Sequence, residues 1–222
     1  MNEKYFIEKD DPYLSRIVEE VNRSRLMDRF HAKKAMYLQR YYEIVPGEIV
    51  ATIAPNQFGH YGFYAMVWGF NLGDPLRETH SVKVENIEKD SRYSEDFRKH
   101  RCVFPASYFV ERKHIYGNDG SVKYGKEYIV QPAGASRTFL CGFYKIDPEE
   151  RLPYCVLLSS PAPSAAYKNE MNDRIPLVIG KAVISDWINP ITNPKDILSY
   201  RLTDFVYEEE YIRPDGSYIQ WY

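Results

Sequence analysis

The feature that most constrains the fold is a series of short β-type runs without helices regularly interleaved between them. From Glu48 onward, runs rich in β-branched and aromatic residues are separated by turn residues. The predicted strands are EIVATIA (48–54), GFYAMVWGF (62–70), RCVFPASYFVE (101–111), KEYIVQP (126–132), RTFLCGFYKI (137–146) and YCVLLSS (154–160). A doubly wound sheet would need helices between successive strands. The pattern therefore predicts an α+β domain with a mainly antiparallel sheet that curls like a barrel, plus a few peripheral helices.

Local signals place helices and a hairpin around these strands. Asp11 is a suitable N-cap before Pro12, and apolar residues follow at helical spacing. Those residues are Leu14, Ile17, Val18 and Val21. Further helices are predicted around 164–170, after the N-cap Asn193, and over one turn capped by Ser185 and running through Trp187. YGNDGS (116–121) is predicted to turn a hairpin.

Composition bounds the class of protein. The 222 residues, 44% of them hydrophobic, suit a single domain over 1–222. No apolar run approaches the roughly 18 residues of a membrane span, and the N-terminus lacks the apolar segment of a signal peptide. We therefore expect a soluble, cytoplasmic protein without membrane contact, and a monomer.

The cysteines and the net charge narrow the expected ligands. Cys102, Cys141 and Cys155 are widely spaced and flanked by apolar residues, which predicts buried free thiols. Metal-ligand motifs such as CxxC and HExxH do not occur, so neither a metal nor a cofactor is expected. The net charge of −2 means that nucleic-acid binding would need a local basic patch.

One segment, residues 22–42, interleaves basic and aromatic side chains. Its members include Arg23, Arg25, Arg29, Lys33, Lys34, Arg40, Phe30, Tyr37, Tyr41 and Tyr42. Cations that meet phosphates and rings that stack on bases are typical of a surface for single-stranded nucleic acid. A solvated helix face explains the same pattern equally well.

Four polar or aromatic positions at predicted strand ends are candidates for function, each with a plainer alternative. Glu111 could be a proton-transferring carboxylate in a pocket or a surface glutamate. Asn86 could bond a substrate or stabilise a turn. Trp68 could contact a ligand or fill the core, and Arg174 could bind phosphate or form a salt bridge. The histidines (His31, His60, His80, His100, His114) lie in no nucleophile or metal motif and are read as surface or packing residues.

The order of these pieces resembles one known family. The succession is MVWGF (66–70), VEN (84–86), FRKHRCVFPASYFVE (97–111), YCVLLSSPAP (154–163), MNDRIPLVIG (171–180) and VISDWINP (183–190). It is similar to the RWGL, NARAE, RRCLIPADGFYEW, FTIITT and IHDRMPVIL pieces, and the WL, of the SOS-response-associated peptidase (SRAP) family, the abasic-site processing proteins. The opening MNEKYFIEKDD also aligns with the family's MCGRYYIDDD type of start.

The resemblance implies a particular chemistry. In the family, a cysteine exposed at position 2 attacks the aldehyde of an abasic site in single-stranded DNA through its amine and thiol. A Schiff base then closes to a thiazolidine, giving a stable protein–DNA crosslink. A free amine is available at neutral pH because an N-terminal amine has a pKa near 8. The resemblance also implies strand-cleaving lyase activity and removal of the protein's own first residue.

Four residues match the family's functional positions. Glu111 aligns with the catalytic glutamate, Asn86 with the asparagine that orients the sugar, Trp68 with the tryptophan beside the DNA, and Arg174 with the phosphate-binding arginine. The resemblance therefore implies a DNA site built from these side chains.

Other family positions are substituted. Asn2 replaces the nucleophilic cysteine, and Asn172 replaces the motif histidine and cannot titrate near neutral pH as an imidazole would. The family's Gly-Arg after the cysteine is Glu3-Lys4 here, and Lys4 is a candidate contact for nucleic acid. Glu88 puts a negative charge where the family has an arginine, which should repel a phosphate backbone.

Two hypotheses follow. In the first, the protein binds single-stranded or abasic-site DNA and keeps a residual lyase or crosslinking step that uses the amine of Met1 with Glu111. In the second, the fold is a non-catalytic module that binds a nucleic acid or a protein through the segment from Arg23 to Arg40. Loss of the thiol favours impaired or altered catalysis, because a thiazolidine cannot form without sulfur.

Overall fold

The computed structural model describes residues 4–34, 42–56, 58–71, 78–119 and 121–209. In these ranges the α-helices are α1 Pro12–Asn22, α2 Arg25–Lys34, α3 Ser94–Lys99, α4 Ala165–Glu170, α5 Ile184–Ile188 and α6 Pro194–Leu198. Two 3-10 helices span Val84–Lys89 and Lys181–Val183. The strands are β1 Lys4–Ile7, β2 Tyr42–Ile44, β3 Ile49–Pro55, β4 Tyr61–Trp68, β5 Phe70–Asn71, β6 Glu78–Thr79, β7 Ser81–Lys83, β8 Arg101–Ala106, β9 Tyr108–Tyr116, β10 Val122–Pro132, β11 Thr138–Ile146, β12 Pro153–Pro161, β13 Arg174–Pro176, β14 Val178–Ile179 and β15 Phe205–Glu209.

Five strands close into a ring. The order is β12-β4-β3-β8-β11, and β11 pairs again with β12. Four of the pairings are antiparallel, while β4 and β12 run parallel. Strands β13 and β14 extend the sheet from β12 and β11, and β7 adds a parallel pairing to β12. The predicted α+β class with a curled, mainly antiparallel sheet is confirmed.

A second sheet packs against this barrel, in the order β15-β10-β9-β1-β2. All four of its pairings are antiparallel. Side chains from β1 and β9, such as Tyr5 and Phe109, share a core with barrel residues such as Trp68 and Phe104. Residues on the other face of the barrel strands pack with α1, α3 and α5, for example Val103 with Ile17 and Trp187.

The sequence run 101–111, predicted as one strand, is two strands in different sheets. The chain leaves the barrel at Ser107 and continues as β9 in the five-stranded sheet. Ser107 is held by β1, because its backbone N–H donates to the carbonyl of Phe6 (2.8 Å). Its hydroxyl also accepts from the backbone N–H of Glu8 (2.9 Å). This switch of sheets puts Glu111 in the middle of a strand instead of at its end.

The local signals are mostly confirmed. The Asp11 side chain accepts from the N–H groups of Tyr13 and Leu14 at the start of α1, and Ser164 and Asn193 cap α4 and α6. The predicted hairpin joins β9 to β10. The cap predicted at Ser185 is wrong, since α5 begins at Ile184 and its N-cap is Val183.

The three cysteines are free and buried, as predicted. Cys102, Cys141 and Cys155 lie on β8, β11 and β12, which are neighbouring strands of the barrel. Burial raises the pKa of each thiol above its ordinary value. Within the described ranges, none of the helices is long and apolar enough to cross a membrane.

Candidate functional site

Glu111 and Asn172 form the centre of the candidate site. The Asn172 side-chain amide donates to Oε2 of Glu111 (2.7 Å) and to the backbone carbonyl of Arg112 (3.0 Å). Glu111 is fully buried and Asn172 is 6% exposed. Glu111 is therefore not the surface glutamate that was its plainer alternative. Glu111 and Asn172 are in direct contact, whereas in the sequence only the family resemblance connects them.

The backbone on both sides of Asn172 fixes its position. Met171 ends α4, with its N–H bonded to the carbonyl of Tyr167 (2.7 Å). On the other side, the carbonyl of Asp173 accepts from the N–H of Ala162 (2.9 Å). Arg174 then pairs with Pro161 as β13 joins β12. Residues 171–174 thus connect α4 to β13 at the edge of the barrel. They place the side-chain amide of Asn172 against Glu111 in the second sheet.

Tyr167, which sequence reasoning did not select, belongs to the same cluster. Its side chain is 3% exposed and packs on Phe205 and Tyr207, with ring centroids 6.3 and 6.1 Å away. Its hydroxyl makes no hydrogen bond to any described residue. Burial, and then the nearby charge of Glu111, raise the pKa of Tyr167 well above its ordinary value. The only sequence signal was its place in the Ser164-capped helix.

These groups define what the site can do chemically. Glu111 can accept and return a proton, whereas the Asn172 amide only donates to it and cannot carry charge. Tyr167 stays protonated and is therefore a hydrogen-bond donor, not a base. The site holds one buried carboxyl group, that of Glu111, and neutral hydrogen-bond donors around it.

Arg174 lies two residues after Asn172, at the start of β13, and is already ion-paired. Its Nη1 and Nη2 contact Oε1 and Oε2 of Glu85 at 2.7 and 2.8 Å. Its Nε and Nη2 also donate to the hydroxyl and carbonyl of Ser159 at 3.1 and 2.8 Å. The contact with Arg174, outweighing burial, lowers the pKa of Glu85. The salt bridge that was one alternative for Arg174 is present.

Asn86 follows Glu85 in the 3-10 helix Val84–Lys89, so its predicted place at a strand end is wrong. The side chain is exposed, and no hydrogen bond joins it to another described residue. Glu88, one turn on, pairs with Lys195 (2.7 Å). Of these two positions, only Asn86 offers polar groups to a ligand without first breaking a contact in the described part of the chain.

Lys4 lies on the opposite face of the second sheet from Glu111. It pairs in register with Val110, the residue before Glu111, and side chains alternate along a strand. Its ammonium contacts Glu127 at 2.8 Å and Glu43 at 3.2 Å. Arg112 also ion-pairs with the buried Glu127. The cation predicted for nucleic acid is thus neutralised by two carboxylates.

Trp68 is fully buried, so its side chain presents no surface to DNA in this structure. Its ring packs near Tyr5 and Phe104, and its indole N–H donates to the carbonyl of His80 (3.0 Å). The indole has no face left for a base to stack on. The alternative prediction, that Trp68 fills the core, is confirmed.

Two predicted features fall partly or wholly outside the described residues. Asn2 does so entirely, and the basic segment Arg23–Arg40 does so from residue 35. In its described part, Arg23 pairs with Glu19 (3.2 Å) and Arg29 donates to the carbonyl of Arg151 (2.9 Å). No group of three or more His, Cys, Asp or Glu side chains in the described ranges could hold a metal.

A known protein family matches most of this chain. The sequence model of the family described as SOS response associated peptidase (SRAP) matches residues 14–212. No curated protein matches the chain significantly.

Three crystal structures share the fold. A protein from Bacteroides thetaiotaomicron has a TM-score of 0.65 at 14% identity, covering 91% of this chain and 89% of its own. A phage-related protein from Bordetella bronchiseptica has a TM-score of 0.61 at 17% identity, covering 85% and 91%. A second protein from the same organism has a TM-score of 0.62 at 12% identity, covering 93% and 98%.

Proposed function

This chain belongs to the SRAP family, and from that premise we propose that it binds single-stranded DNA, including DNA with an abasic site, with impaired or altered crosslinking catalysis. The observation that carries the proposal is the 2.7 Å hydrogen bond from Asn172 to Glu111. The family's carboxylate is kept and buried, while its partner is an amide in place of an imidazole. A site with this composition keeps one of the family's two titrating groups and has lost the other.

The missing groups limit the reaction to its first stage. An amine nitrogen can attack the aldehyde carbon of an open abasic sugar, and the resulting carbinolamine can lose water to form an imine. Glu111 is the group that would carry the proton in that step. Closure of the imine to a thiazolidine needs a neighbouring sulfur, which Asn2 does not supply. An imine without that closure either hydrolyses again or loses the 3′-phosphate by β-elimination, which cleaves the strand, so we expect no stable adduct.

The test uses a single-stranded oligonucleotide with one abasic site and the same oligonucleotide with thymidine at that position. We expect no denaturation-resistant adduct from the wild-type protein, and an adduct with the abasic oligonucleotide only when a borohydride reductant traps the imine. Asn2→Cys, with its methionine removed, should give a stable adduct without reductant. Adding Glu111→Gln to that variant should remove most of the gain, since the carboxylate handles protons.

Two results would contradict the proposal. The first is a stable adduct from the wild-type protein, which would require another nucleophile. The second is failure of both oligonucleotides to bind at low salt, together with no adduct from the Asn2→Cys variant.

The second candidate function is a non-catalytic binding module on the same fold. What favours it is that both predicted DNA cations, Lys4 and Arg174, are paired with carboxylates. The abasic-DNA experiment above tests for catalysis, and binding of plain single-stranded DNA measured against salt identifies the partner: a steep loss of affinity with salt supports DNA contact through phosphates. No binding at low salt would favour a protein partner instead.

A further inference from the structure

Ser159 holds the side chain of Arg174 in an orientation suited to binding an anion. Ser159 accepts two of its hydrogen bonds, from Nε and from Nη2, and fixes the plane of the guanidinium. The side chain of Arg174 is 16% exposed, so the anchored part is largely shielded. Nη1 and Nη2 form the terminal edge of the guanidinium, and this edge can make a two-point contact with an anion.

Glu85 occupies that edge. Each of its carboxylate oxygens contacts one terminal nitrogen, at 2.7 and 2.8 Å. This is the bidentate arrangement in which arginine also binds a phosphate. Glu85 lies in the 3-10 helix Val84–Lys89, and its side chain is 38% exposed. The carboxylate can therefore leave Arg174 without disturbing the core.

We propose that Glu85 is a specificity-determining residue, an internal competitor that keeps phosphate groups off Arg174. The proposal rests on the DNA binding proposed above and names the reason why phosphate recognition would be weak in this chain. The site then favours ligands held by contacts other than a phosphate at Arg174.

Competition from a tethered group is effective even when the pair itself is weak. A partly exposed ion pair contributes little stability, so a free anion could replace it at modest cost. However, a side chain on a short tether competes at an effective concentration of about millimolar or more. Phosphates of dilute DNA would not overcome that competition, and removing the charge of Glu85 should release the Arg174 edge.

The matched variants are Glu85→Gln and Glu95→Gln. Each removes one negative charge from a glutamate that forms an ion pair, but Glu95 lies on α3 and contacts Lys99 and not Arg174. Binding of a ten-residue oligothymidylate is measured by fluorescence anisotropy over a range of salt concentrations. Glu85→Gln should bind roughly tenfold more tightly than wild type, as expected for one added charge-assisted contact. Its slope of log affinity against log salt should steepen by about 0.7, the value for one single-strand phosphate.

Glu95→Gln should change the affinity far less, and Glu85→Gln combined with Arg174→Gln should lose the gain. Equal gains from Glu85→Gln and Glu95→Gln would show a general charge effect and overturn the proposal. So would an unchanged affinity in Glu85→Gln.

A second measurement does not depend on DNA. Inorganic phosphate should raise the melting temperature of Glu85→Gln but not that of wild type or of the double variant. If phosphate stabilises Glu85→Gln while no variant binds DNA, the proposed function fails and the role of Glu85 stands. If phosphate stabilises wild type and Glu85→Gln equally, or neither of them, the role of Glu85 is wrong whatever the DNA result.

Discussion

The contact between Asn172 and Glu111 shows how a single residue can change a site without rearranging it. An amide and an imidazole can both donate to a carboxylate, so the buried glutamate stays hydrogen-bonded. Only the amide remains neutral at every accessible pH. An amide at the position where the family resemblance implies an imidazole therefore keeps Glu111 hydrogen-bonded but adds no second titrating group.

Replacing Asn172 by alanine should destabilise the protein by about 2 kcal/mol, because a fully buried carboxylate loses a hydrogen-bond donor. Urea unfolding at pH 7 measures the change. The adjacent substitution Asp173→Ala is the control: its side chain is exposed, and we expect a change within about 0.5 kcal/mol. Equal effects of the two substitutions would show that the Asn172 amide contributes nothing specific.

Tyr167→Phe tests whether the buried hydroxyl contributes to the free energy of unfolding. Since it makes no hydrogen bond to a described residue, its removal should leave stability unchanged or raise it by up to about 1 kcal/mol. The same unfolding measurement applies. A loss of more than about 1 kcal/mol would show that the hydroxyl has a strong partner in the folded protein.

At the scale of elements, the start of α1 links a helix cap to an ion pair. Burial raises the pKa of Asp11, but the contact with Arg137 (2.5 Å) and the bonds from the Leu14 and Tyr13 N–H groups outweigh it, so the net shift is downward. A lowered carboxyl pKa contributes stability above the unfolded value of 3.8. That contribution is lost as the pH falls from there through the lower folded pKa.

Two substitutions separate the cap from the charge. Asp11→Ala should cost about 1.5 kcal/mol at pH 7, and Asp11→Asn less, because an amide oxygen still caps the helix. The difference in stability between wild type and Asp11→Asn should disappear as acid protonates Asp11. Unfolding curves recorded between pH 7 and the acid limit of the folded state measure it. A difference that persists unchanged into acid would contradict the assigned role of the carboxylate.

Elements defined by neighbouring residues could be predicted from the sequence, and those defined by distant ones could not. The caps at Asp11, Ser164 and Asn193 act within three residues, and all three helices were predicted. The break at Ser107 was missed because the run 101–111 is continuously apolar around it and its partners, Phe6 and Glu8, lie about a hundred residues earlier.

The same limit applies to the site. The family resemblance identified Glu111 and Asn172, which are in contact. It did not reveal that Glu85 binds Arg174, 89 residues away in sequence, or that Glu127 binds Lys4, 123 residues away. Arg174 and Lys4 are ion-paired because the fold brings distant carboxylates next to them, and a local sequence pattern does not show this.

At the scale of the whole molecule, Arg101 connects the barrel to the helices on its outer side. It is fully buried on β8 and donates to five backbone carbonyls. Those carbonyls belong to Phe97, Arg98, Trp187, Asn189 and Thr192. The guanidinium thereby joins α3, α5 and the following loop to one strand, using donors that lysine cannot reproduce in number.

Arg101→Met should lower the free energy of unfolding by at least about 3 kcal/mol, because several buried carbonyls lose their donors together. Arg101→Lys should recover only part of it. Arg98→Ala, a nearby exposed arginine, should change stability by about 0.5 kcal/mol or less. Denaturant unfolding compares the three. An Arg101→Met protein as stable as Arg98→Ala would show that the helices are held to the barrel by apolar packing alone.

The burial of Cys102, Cys141 and Cys155 in adjacent barrel strands also makes their labelling a measure of barrel opening. A thiol reacts as its exposed thiolate, and burial opposes both exposure and ionisation. A thiol-specific reagent added under native conditions will therefore modify only molecules in which these strands have separated. With the reagent in excess and strand closure slow relative to modification, the rate of modification equals the rate at which the barrel opens.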